Sequence, residues 1–303
     1  ENVQFIQHHL PGLDAGNYQL TVEQSVDKSD KTPVLGASYS DVKLFAVKGD
    51  RFSISKPSET VHSVFPSGTT PGDYGNVLPQ VLFSQKTFPW IRMPNTTSKS
   101  YSTIAGETDP DVPTWLWVML LDEDDVKKHP DLNLTPVKGT INDLYPKKVS
   151  SIYSYFDDTV SPPTGLDAGE AATDAIKYID VPQDLFWNIA PSMDDLKLLA
   201  HGRTVTMKSG DPNTSKDPDL GSYSVVSGNR LPGSTNKSHV FLVSLEGFES
   251  YLPSSDGTKP TGVCSEDYPF RLAVLKSWTF FSSGESADFV NQLEKAGYKT
   301  TPS

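Results

Sequence analysis

The chain has one cysteine, Cys264, so it cannot close an intramolecular disulfide or build a thiolate-rich zinc site. Cys264 sits in a turn-like stretch between Pro260 and Pro269 with no His or basic residue close in sequence to lower its pKa, and it reads as an incidental thiol. Long apolar runs are missing. The longest, Trp115-Leu-Trp-Val-Met-Leu-Leu121, is seven residues and predicts a buried strand, far short of the roughly 18 needed to span a bilayer as a helix. Basic residues are scarce: 26 Lys and Arg against 38 Asp and Glu give a formal charge of −12. Binding to a phosphate backbone rests on Lys and Arg, so a nucleic-acid partner is disfavoured, and so is an anionic membrane surface. The pairs Lys127-Lys128 and Lys147-Lys148 read as solvated surface. The glycine motifs that cradle nucleotide phosphates are absent, as is the Gly-x-Ser-x-Gly elbow of serine hydrolases.

What is present is a β grammar. The composition is 36% hydrophobic and 10% aromatic, enough for a substantial core, and 24 Pro with 21 Gly punctuate the chain often. Tyr18, Leu20 and Val22 alternate with polar residues, and alternation returns over residues 41–47 before Gly49-Asp50 turns the chain. Buried or alternating strands are predicted again at 115–121, 203–207, 223–226, 239–245 and 270–281. Prolines 79 and 89 break residues 76–92 and predict edge strands or extended docking segments. Helix is expected largely near 122–129, across 184–201 with a break at Pro191, and at 286–296. The expected fold is therefore mainly β. An Ig-like, sandwich-like N-terminal part (1–93) packs with a second β-rich subdomain (114–303) carrying a few short helices, and 94–113 is the linker.

Chemistry-bearing residues are few. Asp122-Glu-Asp-Asp125 is the densest acidic cluster, but it lacks the spacing of a calcium loop and precedes Val126-Lys-Lys, as a helix N-terminus would. His8 and His9 are adjacent and would point to opposite faces of a strand. His62, His201 and His239 lie beside apolar residues. Should His201, His239 and Glu246 converge, two imidazoles and a carboxylate would supply a catalytic zinc set; the simpler reading makes them polar residues at a seam. Trp90, Trp115, Trp117, Tyr153 and Tyr155 are candidate sugar-stacking aromatics, although alternating strand aromatics usually fill a core.

Six strings carry a resemblance: Val61-His-Ser-Val-Phe-Pro66, Val77-Leu-Pro79, Phe88-Pro-Trp90, Leu199-Ala-His201, Gly228-Asn-Arg-Leu-Pro232 and Leu242-Val-Ser-Leu-Glu-Gly247. Together they resemble an uncharacterised family of microbial β-rich, multi-part proteins, over about residues 5 to 281. The resemblance implies no activity, cofactor or catalytic residue; it does imply a piece of a longer chain, an expectation the start at Glu1 and the ending Thr301-Pro-Ser303 share. No signal peptide is legible, and glycosylation sequons begin at Asn95, Asn133, Asn213 and Asn236, so the compartment stays open. The leading expectation is a soluble, non-enzymatic structural or protein-interaction module with a protein partner or self-assembly, and no cofactor or metal. The alternatives are a hydrolase with a metal or acid/base site around His201, His239 and Glu246, and a carbohydrate-binding β-sandwich.

Overall fold

A computed structural model describes residues 2–282 apart from 12, 14–15, 32, 48, 69–71, 95–111, 145–165, 168, 207–218, 234–236 and 262–268. In chain order its strands are β1 (Asn2–Ile6), β2 (Gly16–Asp27), β3 (Pro33–Val47), β4 (Val61–Phe65), β5 (Gln80–Phe83), β6 (Leu116–Asp122), β7 (Val137–Thr140), β8 (Ala175–Val181), β9 (Ala200–Thr206), β10 (Asp219–Ser227), β11 (Lys237–Ser244) and β12 (Phe270–Phe281). Its helices are short: α1 (Pro57–Thr60), α2 (Glu123–Lys128), α3 (Gln183–Ile189) and α4 (Met193–Leu198). The fold is mainly β, as its turn-rich alternating sequence predicts.

Ten strands make two five-stranded sheets, sheet I in the order β1-β9-β10-β5-β4 and sheet II in the order β6-β11-β12-β8-β7. Every pairing among these strands is antiparallel. Sheet II is the middle layer. On β6, Leu116, Val118 and Leu120 join Val81, Phe83 and Val226 of sheet I in one core, while Trp117, Met119 and Leu121 face Leu185, Phe186 and Leu196 of the helices in a second. Successive strand residues point to opposite faces, so a strand covered on both sides must be apolar at every position. This accounts for the unbroken run from Trp115: all seven residues of β6 are buried. On β11 the same division holds, with Val240 and Leu242 on one side and Phe241 and Val243 on the other.

Sheet I takes strands from two separate parts of the described chain, β1, β4 and β5 before residue 94 and β9 and β10 after residue 199. Its pairing thus joins chain on both sides of the expected 94–113 linker, most of which lies outside the described residues, as do Cys264, Tyr153, Tyr155 and the expected helix at 286–296. Residues 16–47, where alternation suggests sandwich strands, form a separate two-stranded ribbon, β2-β3. Two further expectations are corrected. Residues 80–83 are not an edge strand: β5 lies between β4 and β10, and Pro79 stands just ahead of it, where a missing N–H removes no ladder bond. Residues 88–90 fold as a buried 3-10 turn whose carbonyls cap the central layer, Phe88 O accepting from Trp115 Nε1 (2.9 Å) and Pro89 O from Trp115 N (3.3 Å).

The helical stretch divides at Pro191 as expected, into α3 and α4, but ends at Leu198; residues 200–206 are strand, which puts His201 on β9. The acidic cluster is a helix N-terminus. Asp122 caps α2, its Oδ1 accepting from the N–H of Asp124 (3.0 Å) and Asp125 (3.1 Å), and Asp125 Oδ2 accepts from Asp122 N in return (2.9 Å).

Candidate functional site

Glu246 is the sequence-predicted residue with the densest surroundings. It lies two residues beyond β11, where its N–H donates to Ser244 Oγ (3.3 Å) and Gly247, at φ 78°, turns the chain. Both carboxylate oxygens accept from arginine: Oε2 from Arg51 Nε (2.9 Å) and Oε1 from Arg92 Nη1 (3.4 Å). Arg51 also donates to Glu170 (3.1 Å) and lies 3.7 Å from Asp167, while Arg92 donates to Asp167 (2.6 Å) and to the carbonyls of Asp50 (2.8 Å) and Gly49 (3.2 Å). Arg51 is 2% exposed and stacks over the ring of Phe52 (4.6 Å). Burial by itself would lower the Arg51 pKa; the charges of Glu246, Asp167 and Glu170 more than reverse this and hold it above its ordinary value. Two guanidiniums and three carboxylates thus bind four stretches of chain, at 49–52, 92, 167–170 and 246. Such a cluster stabilises only while complete, since removing one member strands the others without solvent.

The two histidines stand elsewhere. His239 is near the start of β11 and Glu246 is past its far end, roughly 20 Å away along an extended strand. His201 is on sheet I, where its Nε2 accepts from Arg203 Nε (2.8 Å) and its ring meets Phe5 at 5.7 Å. Among the described residues no group of three His, Cys, Asp or Glu side chains is arranged to hold a metal ion. Both histidines have pKa values lowered chiefly by burial, with Arg203 adding to the effect at His201 and Lys237 at His239. His201, His239 and Glu246 do not form one site.

Sequence reasoning missed the arginines. Arg51 follows the Gly49-Asp50 turn, and its partner Glu246 is 195 positions away, so no local spacing exposes the pair. A second missed residue is Arg230, in the turn after β10, which donates to both oxygens of Asp125 (2.5 and 3.1 Å), to Asp122 (3.3 Å) and to the carbonyl of Leu120 (3.2 Å). Its neighbour Asn229 accepts from Trp117 Nε1 (2.9 Å) and donates to the carbonyl of Ile189 (2.8 Å), tying helix α3 to the central strand. Gly228 is needed there because a Cβ would stand 2.9 Å from the carbonyl of Val118. Trp90, Trp115 and Trp117 are all buried, so none presents a ring for sugar stacking.

Among the described residues two surfaces stand out. The outer face of sheet I carries a row in which Arg203 lies between the rings of Phe5 (5.3 Å) and Tyr223 (5.9 Å), with Phe5 66% exposed. Beside it runs a shallow groove of about 510 Å³ lined by His62, Leu82, Val205 and Tyr223. The other surface is the β2-β3 ribbon. Its strands pair with each other over eleven positions and join neither sheet. Leu20, Val22, Val26, Tyr39, Val42, Leu44 and Phe45 are all exposed on it, Leu44 to 77%. Tyr18 stacks on Phe45 across the ribbon at 5.6 Å. No family model, no curated protein and no solved structure matches this chain.

Proposed function

We propose that the chain is a non-enzymatic structural or protein-interaction module, and that the β2-β3 ribbon is its docking element. One observation carries this: a long ribbon whose large apolar side chains at 20–26 and 39–45 are uncovered on both faces, attached to a body whose central strand is buried throughout. A lone two-stranded ribbon is marginal in water, and uncovered apolar area of this kind marks an interaction surface. Among the described residues neither outer edge of the ribbon pairs with another strand, so strand addition is open to it. The polar clusters support this assignment, because their side chains are engaged in holding segments together. The hydrolase alternative draws no support from His201, His239 and Glu246, which lie apart.

The test is excision. Asn17 and Ala46 are opposite each other in register, so a two-residue turn can replace residues 18–45. The shortened protein is expected to keep the cooperative thermal transition of the body. Cross-linking mass spectrometry on the intact protein in its native extract is expected to find intermolecular links at Lys28, Lys31 and Lys43, all on the ribbon. A body that unfolds without the ribbon, or intermolecular links confined to other surfaces, would refute the assignment.

A second reading, carbohydrate binding, draws support from the groove beside Tyr223 and the exposed Phe5–Arg203–Tyr223 row. Apolar rings with a cation alongside suit the faces and hydroxyls of a sugar. A glycan array decides it: binding lost on Tyr223→Ala supports this reading, and an array without hits removes it.

A further inference from the structure

We propose that the occupant of the ribbon is a second copy of this chain, joined through the free edge of β3 in an antiparallel pair centred on Val42. The proposal rests on the docking role given to the ribbon above and names its partner. In an antiparallel pair around a twofold axis, residues whose numbers lie equally far from the centre stand opposite each other and share a face. Centred on Val42, Asp41 meets Lys43 of the second copy and Lys43 meets its Asp41, so two opposite-charge pairs form. Tyr39 meets Phe45 in the same way, twice. Phe45 already stacks on Tyr18 within the ribbon. Pairing therefore extends that couple to a row of three rings, Tyr18, Phe45 and the second copy's Tyr39. On the opposite face, Val42 meets Val42 and Leu44 meets Ser40.

Three observations favour this occupant over an unrelated strand. Among the described residues neither Asp41 nor Lys43 has an ion-pair partner, although they stand two positions apart on one face of β3. Tyr39 is 61% exposed and Leu44 77%. The symmetry of the sequence is the third: the charges at 41 and 43 and the rings at 39 and 45 fall into complementary places when the strand is laid against itself reversed. Strand β2 has no such property, since Glu23 is its only charge before Asp27 and would face no cation. A single charge on an edge strand guards against pairing, but an acid and a base placed equally about a centre select one register.

The register makes the test sharp. In a full-length Cys264→Ala background, Val42→Cys places two thiols directly opposite, about 4.5–5.5 Å between Cα atoms and within disulfide reach. Ser40→Cys separates its thiols by four residues along the strands, about 13 Å, beyond reach. Mild oxidation is expected to give a covalent dimer with Val42→Cys and none with Ser40→Cys. Charge exchange tests the same axis without a thiol. Asp41→Lys or Lys43→Asp alone puts like charges opposite each other twice and is expected to weaken self-association about tenfold in sedimentation equilibrium. Mixing the two variants restores both complementary pairs and is expected to give a heterodimer of wild-type strength. Equal cross-linking at positions 40 and 42, or no recovery on mixing, overturns the proposal. If the chain stays monomeric while ribbon lysines still cross-link to a different protein, self-pairing is wrong and the docking role stands. If no intermolecular link involves the ribbon, both fall.

Discussion

Strands β6 and β3 both carry large apolar side chains, unbroken in the first and alternating with polar residues in the second, yet every residue of one is buried and almost every described side chain of the other is exposed. The difference lies in what stands above and below them. Strand β6 has a sheet on one side and helices on the other, so both sets of alternate residues enter a core. Strand β3 has one neighbour in its own plane, β2, and among the described residues neither of its faces joins a core cluster. An apolar residue in a covered strand stabilises the fold; the same residue in an uncovered ribbon adds nothing to the fold and is left for the association proposed above.

Four experiments break or sharpen that contrast. The largest effect is expected at the clamp beside the central sheet. Arg51→Ala leaves Glu246, Glu170 and Asp167 short of a buried cation and is expected to cost about 3–5 kcal/mol in urea unfolding. A cost within the range of surface substitutions would mean that the five charges are not interdependent. Next comes the direct comparison: Leu121→Ala on β6 should cost about 2–5 kcal/mol, whereas Leu44→Ala on the ribbon should change monomer stability by no more than about 0.5 kcal/mol. Equal losses would show that the ribbon is packed in solution.

A smaller effect is expected at Asn229. Its replacement by Ala orphans the Trp117 indole N–H and the Ile189 carbonyl, at about 1–3 kcal/mol, read as a lowered urea midpoint with an unchanged slope. The smallest is a pH effect. His201 and His239 have folded pKa values below the ordinary 6.5, so the unfolded chain takes up protons first on acidification. The stability they contribute is whole above about pH 6.5 and declines as pH falls through that value towards the folded pKa values. The melting temperature is expected to drop between pH 7 and 5, and less so in a His201→Gln, His239→Gln double variant. A steeper drop in the double variant would contradict this origin.

The candidate site was far less legible than the fold. Capping at Asp122, the break at Pro191 and the strands at 237–244 and 270–281 depend on neighbours within a few positions, and the sequence carries such information directly. The role of Glu246 depends on arginines at 51 and 92, which no local pattern connects to it. His201 and His239 share apolar flanks in sequence, but they belong to different sheets. Pro79 suggests an edge strand because proline cannot donate to a ladder; one position of offset placed it harmlessly outside β5.

By itself the sequence determined that the fold is mainly β, where strands such as β6, β11 and β12 form, that α2 starts at the acidic cluster and that Pro191 divides a helical stretch, because these follow from short-range periodicity, capping and composition. It also contains the symmetric arrangement of Tyr39, Asp41, Lys43 and Phe45 about Val42. Only the tertiary structure decided what covers both faces of β6 and that, among the described residues, no core cluster covers the alternating strand β3. Burial is a property of the layer that arrives from elsewhere in the chain, and a strand's own residues specify which face they occupy but not what will lie against it.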